Sequence, residues 1–314
     1  IPGSKCTSKS INFMAKHGRG LICLALSKNQ IDKLKLPLMS RTNKSRMQTA
    51  FTVSIEAKKG ISTGISAYDR AKTIKVAISD NAKKNDIVSP GHVFPLVARP
   101  GGVLERAGHT EASVDISKLS KLNSSAVICE VMNEDGRMAR LKDLQKFSNK
   151  HNIKIASIED LIAYRLGNEK LITRLSTKNF NREEGRLEYI IYENKLDQSK
   201  NFVIKKGKFN LSKTIRVRVI SIKLKNSKLI FTNQKVKKSL QYLSKFSNFV
   251  LIIINNEKID KNEKEKVILR YYGIGAQIIK DLKVKNMILV TRTKKKIIGL
   301  EGFGLKIKKQ ELIK

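Results

Sequence analysis

The sequence predicts an α/β (α+β) protein of two domains, residues 1–166 and 171–314. Residues 1–166 alternate helical and strand periodicities at the short spacing of a mixed α/β domain, with capping residues where the helical stretches begin. From Leu171 the texture changes to longer β-rich runs. All four His and all three Cys lie at or before His151, so the residue types that most often carry chemistry stop where the texture changes. The boundary is therefore expected within 167–170.

The elements follow in order. Ser8 precedes a helical stretch that runs to His17 and closes at Gly18. Residues 20–26 read as a buried strand, followed by a short helix ending near Leu36 and Pro37, and 51–57 alternates like a half-buried strand. Ser66 with Asp69 three positions later forms a capping-box pattern for a helix to about Asp80. Residues 127–131 read as strand, 141–150 as helix and 153–158 as strand, and Ser157 caps a last helix that stops at Leu166 and Gly167. In the second domain strands are expected at 186–192, 215–222, 249–254 and 287–291, with helices at 235–246 and from about Glu263 to Leu282. No fixed-period repeat interrupts this series.

Composition narrows the function classes. The chain has 314 residues with 64 Lys+Arg against 27 Asp+Glu, a net +37, and 40% hydrophobic residues, enough for ordinary cores. The apolar run 249–254 is far shorter than the roughly 20 residues that a membrane-spanning helix needs, so no membrane partner is expected. Cys6, Cys23 and Cys129 supply neither a disulfide framework nor the close pairing of a zinc site, which points to a reducing, cytoplasmic setting. The charge invites a nucleic-acid partner, and salt-dependent binding would support one. The basic residues are mostly scattered Lys, however, with no binding motif or aromatic stacking platform beside them, so the reading goes against it.

Chemistry concentrates in SPGHVFPLVARPGGVLERAGHTEASVD, residues 89–115, where two His, two Arg and two Glu stand among glycines and prolines. Gly108-His109-Thr110-Glu111 leads into a helix, and a glycine turn at a helix start presents backbone N–H groups to an anion. Arg106 as a forked donor and Thr110 as a hydroxyl suit a phosphate monoester. His109 can instead ligate a divalent metal if a carboxylate joins it, or simply cap a loop. His92 sits on a loop before an apolar stretch, as a proton-transfer group near neutral pH or a hydrogen-bonded structural residue. Glu130 interrupts the apolar strand 126–132, and a buried carboxylate needs a partner or a task. Cys23 and Cys129 read as inert core residues, and Asp69-Arg70 as a cap with an ion pair.

The strings INFMAKHGRGLICLAL, FTVSIEA, STGISAYDRA, PGHVFPL, RAGHTEASVD, CEVMNEDGRMAR and HNIKIASIEDLIAYR resemble, in order and spacing, 3,4-dihydroxy-2-butanone 4-phosphate synthase of riboflavin biosynthesis, over residues 1–166. The resemblance implies a three-layer domain with a mixed sheet. It implies conversion of D-ribulose 5-phosphate to 3,4-dihydroxy-2-butanone 4-phosphate and formate with Mg²⁺ or Mn²⁺, in a homodimer with active sites at the subunit interface. By the family pattern Arg106, Ala107, Gly108, His109 and Thr110 bind the sugar phosphate, His109 is a metal ligand, Glu130 contacts substrate, and His92 and Glu130 are essential to catalysis. The family's acidic Arg-Glu-Asn-Glu-Gly-Asp loop would precede Ile1. The chain accordingly reads as starting mid-protein, and as written it is expected to have little synthase activity. A non-catalytic regulator of the same pathway is the alternative.

The second domain resembles GTP cyclohydrolase II, most clearly in RYYGIGAQIIKDLKVKNMILVTRTKKKIIGLEGFGLKI and more faintly in RLEYIIYENKLD. That family uses three Cys to hold a water-activating zinc. Here the matching stretch reads Val219-Ile220-Ser221-Ile222-Lys223-Leu224, and the Gly- and Arg-rich catalytic stretch is replaced by the Lys- and Asn-rich 255–266. A smaller α/β domain without zinc and without cyclohydrolase activity is expected, as a scaffold or a vestigial nucleotide-binding fold.

Overall fold

The computed structural model describes residues 1–40, 42–43, 49–209, 213–224, 227–256, 264–293 and 305–313. Parts of the 255–266 segment and of the terminal motif lie outside these described residues. The chain packs as two compact units, Ile1–Ile162 and Ala163–Lys314. No helix among the described residues is long and apolar enough to cross a membrane.

The first unit runs α1 (Ser8–Phe13), β1 (Cys23–Ser27), α2 (Lys28–Lys33), β2 (Ile55–Ala57), α3 (Ala67–Ala77), β3 (Ile87–Ala98), α4 (His109–Leu119), β4 (Ser125–Ile128), α5 (Leu141–His151) and the start of α6 (Ile158–Asn168). Its sheet has the order β2-β3-β1-β4, with β1 and β3 parallel and the two outer pairs antiparallel. Side chains alternate across a strand, and β1 uses this to separate large from small residues. Leu24 and Leu26 face Ile11 of α1 and Ile74 and Ala77 of α3, together with Ile55, Val93 and Val127. Ala25 faces the other way, onto Ala98 and Val114 of α4. Two alanines let α4 come close to the sheet, and three layers result.

Local signals explain most element ends. Thr7, one residue before the expected cap, accepts the Ser10 N–H at 3.3 Å, and α1 continues as a π turn over Met14–Gly18. Ser66 accepts the Asp69 N–H at 3.0 Å to start α3. The strand expected over 153–158 is absent; 153–157 is irregular, with Ile153 and Ile155 exposed. Its alternation is real, but the Ile153 backbone is committed to ending α5. The Ile153 N–H donates to Ser148 O, and its carbonyl accepts from the Ser148 hydroxyl.

The second unit runs β5 (Ile172–Arg182), β6 (Gly185–Asn194), β7 (Lys200–Lys206), β8 (Thr214–Ile222), α7 (Gln234–Leu243), β9 (Phe249–Asn255), α8 (Lys264–Asp281), β10 (Asn286–Thr291) and β11 (Lys306–Leu312). These make a seven-stranded sheet in the order β11-β10-β8-β9-β7-β6-β5. Strands β8 to β11 are mutually parallel, and β5, β6 and β7 form an antiparallel meander joined to β9. An unbroken apolar strand belongs where both faces are covered, and β9 is buried from Phe249 to Ile254. Val236, Leu240 and Leu243 of α7 pack on the face that carries Leu251 and Ile253. The unit is the smaller of the two, Ala163–Lys314 against Ile1–Ile162.

The C-terminal half of α6 belongs to the second unit. Gln277 of α8 donates to Leu166 O at 2.9 Å and Glu169 O at 2.7 Å and accepts the Leu171 N–H at 2.8 Å, and Gly273 leaves no room for a Cβ against Leu166. The division between units therefore falls inside α6. Because Ile252 is fully buried at the centre of β9, Ile252→Ala is expected to cost about 2–5 kcal/mol in urea denaturation.

Candidate active site

Helix α4 begins with Gly108 as its N-cap, and no side chain caps it. The first intrahelical bond is from Ala112 N to Gly108 O, 2.9 Å, which leaves the N–H groups of His109, Thr110 and Glu111 without helical carbonyl partners. A Cβ at 108 would overlap Arg106 Nη1 and crowd Glu111 Oε2, 2.7 Å away, so glycine lets both side chains lie over this turn. Thr110 is buried and His109 is exposed. Arg106 differs from its expected role as a fork waiting for phosphate. Its Nη1 donates to buried Glu111 at 2.6 Å, and its Nη2 reaches Thr49 Oγ1 at 3.4 Å.

Two carboxylates one helical turn apart on α4 hold the loop before it. Glu111 Oε1 accepts the Arg99 N–H at 3.1 Å, and Asp115 Oδ2 accepts the Val103 N–H at 2.8 Å. Gly102 sits at φ +61° with no space for a Cβ beside Asp115, so only glycine fits that turn. Sequence reasoning passed over both carboxylates. Their signal is an acidic i, i+4 pair directly after a glycine-rich loop, a spacing that places both on one helix face.

His92 lies within β3 rather than on a loop. Ile55 of β2 pairs with Val93, but the next residue, Glu56, pairs with Val88, so 89–92 has no counterpart on β2. This excursion brings His92 Nδ1 against Glu56 Oε1. Glu56, unremarked in the sequence, also touches the loop before α3. Gly64 stands at φ +84° where a Cβ would overlap the Glu56 carboxylate.

Asp69 holds that loop. Its carboxylate accepts from Ser62 N at 3.2 Å, Ser62 Oγ at 2.8 Å and Gly64 N at 3.1 Å. The ion pair expected with Arg70 is not formed, since these donors take the carboxylate, and Arg70 Nε is buried without a bond among the described residues. Burial alone would raise the Asp69 pKa; the hydrogen bonds from Ser62, Ser66 and Gly64 outweigh it and hold the group below the ordinary aspartate value.

Glu130 was expected inside an apolar strand, but β4 ends at Ile128 and Glu130 is exposed just beyond it. The Gly18–Gly20 turn lies against it. Leu21 N donates to Glu130 Oε2 at 3.0 Å, Gly20 has no room for a Cβ beside that carboxylate, and Met132 N reaches Gly18 O at 2.9 Å. The cysteines are all free thiols. Burial, then the charges of Glu130 and Cys129, push the Cys23 thiol up to about 12, and burial raises Cys129, so neither is a ready nucleophile.

The sheet register sorts these residues into two groups. Phe94, Cys23 and Ile128 form one row across β3, β1 and β4. His92 lies two residues before Phe94, and Glu130 two residues after Ile128 on the antiparallel strand, so both lie on the side of this row where β1 begins and β4 ends. The first turn of α4 is fixed by Arg99 at the other end, six or seven strand residues away, about 20 Å. One chain thus carries His92 and Glu130 at one end and the uncapped start of α4 at the other. As for a metal, the exposed His109 imidazole makes no hydrogen bond among the described residues and fits as one ligand. The described residues contain no group of three His, Cys, Asp or Glu that would complete a sphere.

Comparison with known proteins places these features in context. The family model for 3,4-dihydroxy-2-butanone 4-phosphate synthase matches residues 1–164, and that for GTP cyclohydrolase II matches 221–311. The chain is 43% identical to the riboflavin biosynthesis protein RibBA of Aquifex aeolicus, over 100% of this chain and 85% of that protein. It is 39% identical to the 3,4-dihydroxy-2-butanone 4-phosphate synthase of Photobacterium phosphoreum, over 98% of this chain and 89% of that one. Among solved structures, RibBX of A. baumannii, a two-domain 3,4-dihydroxy-2-butanone 4-phosphate synthase, matches with a TM-score of 0.83 and 36% identity, over 100% of this chain and 91% of that chain. A synthase solved in complex with two magnesium ions matches 54% of this chain and 83% of its own, with a TM-score of 0.51 and 36% identity.

The Asp69 geometry sets a pH dependence. A depressed folded pKa contributes stability above the unfolded value, about 3.9, and loses it as pH falls through the folded value. Asp69→Asn is expected to lower the melting temperature at neutral pH and to flatten the loss of stability below about pH 4, as followed by circular dichroism.

Proposed function

The chain belongs to the 3,4-dihydroxy-2-butanone 4-phosphate synthase family of riboflavin biosynthesis, and from that premise we propose how its residues perform the reaction. The substrate is D-ribulose 5-phosphate, and the products are 3,4-dihydroxy-2-butanone 4-phosphate and formate. The observation that carries the assignment is the uncapped first turn of α4, whose N–H groups and Thr110 hydroxyl suit the phosphate, with Arg106, Ala107 and Gly108 forming the approach to it. Arg106 acts there partly through Glu111, which holds the cradle open.

His109 would hold the divalent cation, Mg²⁺ or Mn²⁺, in keeping with the relative solved with two magnesium ions. When bound, such an ion polarises substrate oxygens. Loss of a carbon as formate requires enolisation, a skeletal shift and hydration, so protons must be taken and returned more than once. His92 suits that work because its ring is partly exposed while Nδ1 is held by a carboxylate. Glu130, exposed and anchored by the Leu21 N–H, meets the substrate at the same end.

The two groups of residues stand at opposite ends of the sheet, which favours a homodimer whose sites draw one group from each copy. Exposed apolar side chains agree with this: although Phe147 and His151 of α5 pack on Phe13 and His17, α5 buries none of its residues fully and Leu141 is 63% exposed. The three free thiols favour the cytoplasm. For the second unit, the segment 221–311 contains neither Cys nor His, so a thiolate zinc site cannot be built from it and no zinc-dependent GTP hydrolysis is proposed. A purely regulatory chain is the competing reading.

Formate release from ribulose 5-phosphate with Mg²⁺, measured on the full-length protein, tests the assignment. Activity is expected in wild type, with losses of about 10²-fold or more in His92→Ala and Glu130→Ala; a wild-type protein without formate release favours the regulatory reading. His92→Ala mixed with His109→Ala is expected to regain about one quarter of wild-type activity through mixed dimers. No recovery after subunit exchange would place each site within one chain.

A further inference from the structure

We propose that Glu56 is the positioning residue for His92: its carboxylate keeps a proton on Nδ1 and so leaves Nε2 as the nitrogen that exchanges protons with the substrate. The proposal deepens the synthase reading and rests on it for the catalytic role of His92. An ionised carboxylate only accepts hydrogen bonds, so the imidazole nitrogen that faces it carries a proton whether the ring is neutral or charged. The contact is from His92 Nδ1 to Glu56 Oε1. The carboxylate is the recessed member, 16% exposed against 43% for the imidazole, so the ring extends outward from a held base.

Several independent features of the fold converge on this contact. The change of register between Ile55 and Glu56 makes 89–92 bow out of the ladder, which is what sets His92 beside Glu56. Gly91 permits the bow, because a Cβ there would overlap the Ile55 backbone and crowd the Glu56 side chain, and its N–H is taken by Ser54 Oγ at 3.0 Å. On the other side Gly64 approaches the carboxylate with no room for a side chain, and Asp69 fixes Gly64 through its N–H at 3.1 Å. Glu56 is thus confined between two glycines, each placed by a hydrogen bond to a neighbouring side chain. A surface ion pair of convenience has no such enclosure. The arrangement is that of a carboxylate that selects a histidine tautomer, where loss of the carboxylate's charge leaves the ring in place with its proton on the wrong nitrogen.

The test combines tautomer and kinetics on the full-length protein with ¹⁵N-labelled histidine. Long-range ¹H–¹⁵N spectra, recorded without substrate at a pH where the ring is neutral, should show His92 in the Nδ1–H form in wild type. Glu56→Gln should shift it toward Nε2–H. In that variant kcat should fall at least about 10-fold with KM nearly unchanged, and Glu56→Asp should recover part of the loss. An Nε2–H ring in wild type would overturn the proposal, as would Glu56→Gln with an unchanged tautomer and unchanged kcat. Because the tautomer is read without turnover, the two readings separate. An Nδ1–H ring that is lost in Glu56→Gln, in a protein that releases no formate, supports the pairing and counts against the synthase assignment alone.

Discussion

The first unit depends on one long strand held by different partners along its two halves. Strand β3 pairs antiparallel with β2 near its start and parallel with β1 from Phe94 to Ala98. Within the β2 pairing the register changes between Ile55 and Glu56, so 89–92 bows out of the ladder, and that bow carries His92. At its far end the same strand delivers Arg99 to Glu111 and so fixes where α4 begins. The positions of His92 and of the start of α4 are therefore both consequences of where β3 runs and how it is paired. The large and small residues of β1 that hold β3 in the core are also what lets α4 lie close to the sheet.

Charged groups turned inward do most of the shaping around this frame. Glu111, Asp115 and Asp69 are each nearly fully buried, and each accepts backbone N–H groups of a glycine-containing loop. Asp69 accepts several bonds from its loop, and Glu111 joins a backbone N–H to the Arg106 guanidinium; hydrogen-bonded carboxylates of this kind fix a loop more tightly than apolar contact does. The loops are thereby held in conformations that glycines at 64 and 102 permit and other residues do not.

The helices and most strands were legible because they are set by local periodicity and caps, as at Ser66 and along 249–254. The start of α4 was legible for the same reason, since Gly108 leads directly into the helix at His109. What sequence could not show depends on distant pairing. Glu56 meets His92 only through a register change between strands 36 residues apart. Glu130 looked buried because the apolar run continues past it, yet its strand stops at Ile128 and the Gly18–Gly20 turn takes over. Residues 153–157 have strand alternation, but Ser148 uses the backbone that a strand would need. In the second unit Arg218 is another such case: a buried cation in β8, held by Ser239 Oγ at 2.7 Å and the Val290 carbonyl, with burial and then Arg292 lowering its pKa. Nothing in the local pattern around this charge signals its burial.

The proposed reaction removes one specific carbon from a ketopentose phosphate. The most direct test supplies full-length protein and Mg²⁺ with ribulose 5-phosphate labelled with ¹³C at C4 and follows the label by NMR. The label is expected to leave as formate while the four-carbon phosphate product stays unlabelled. Label retained in the phosphate product, or a substrate that is only isomerised, would contradict it.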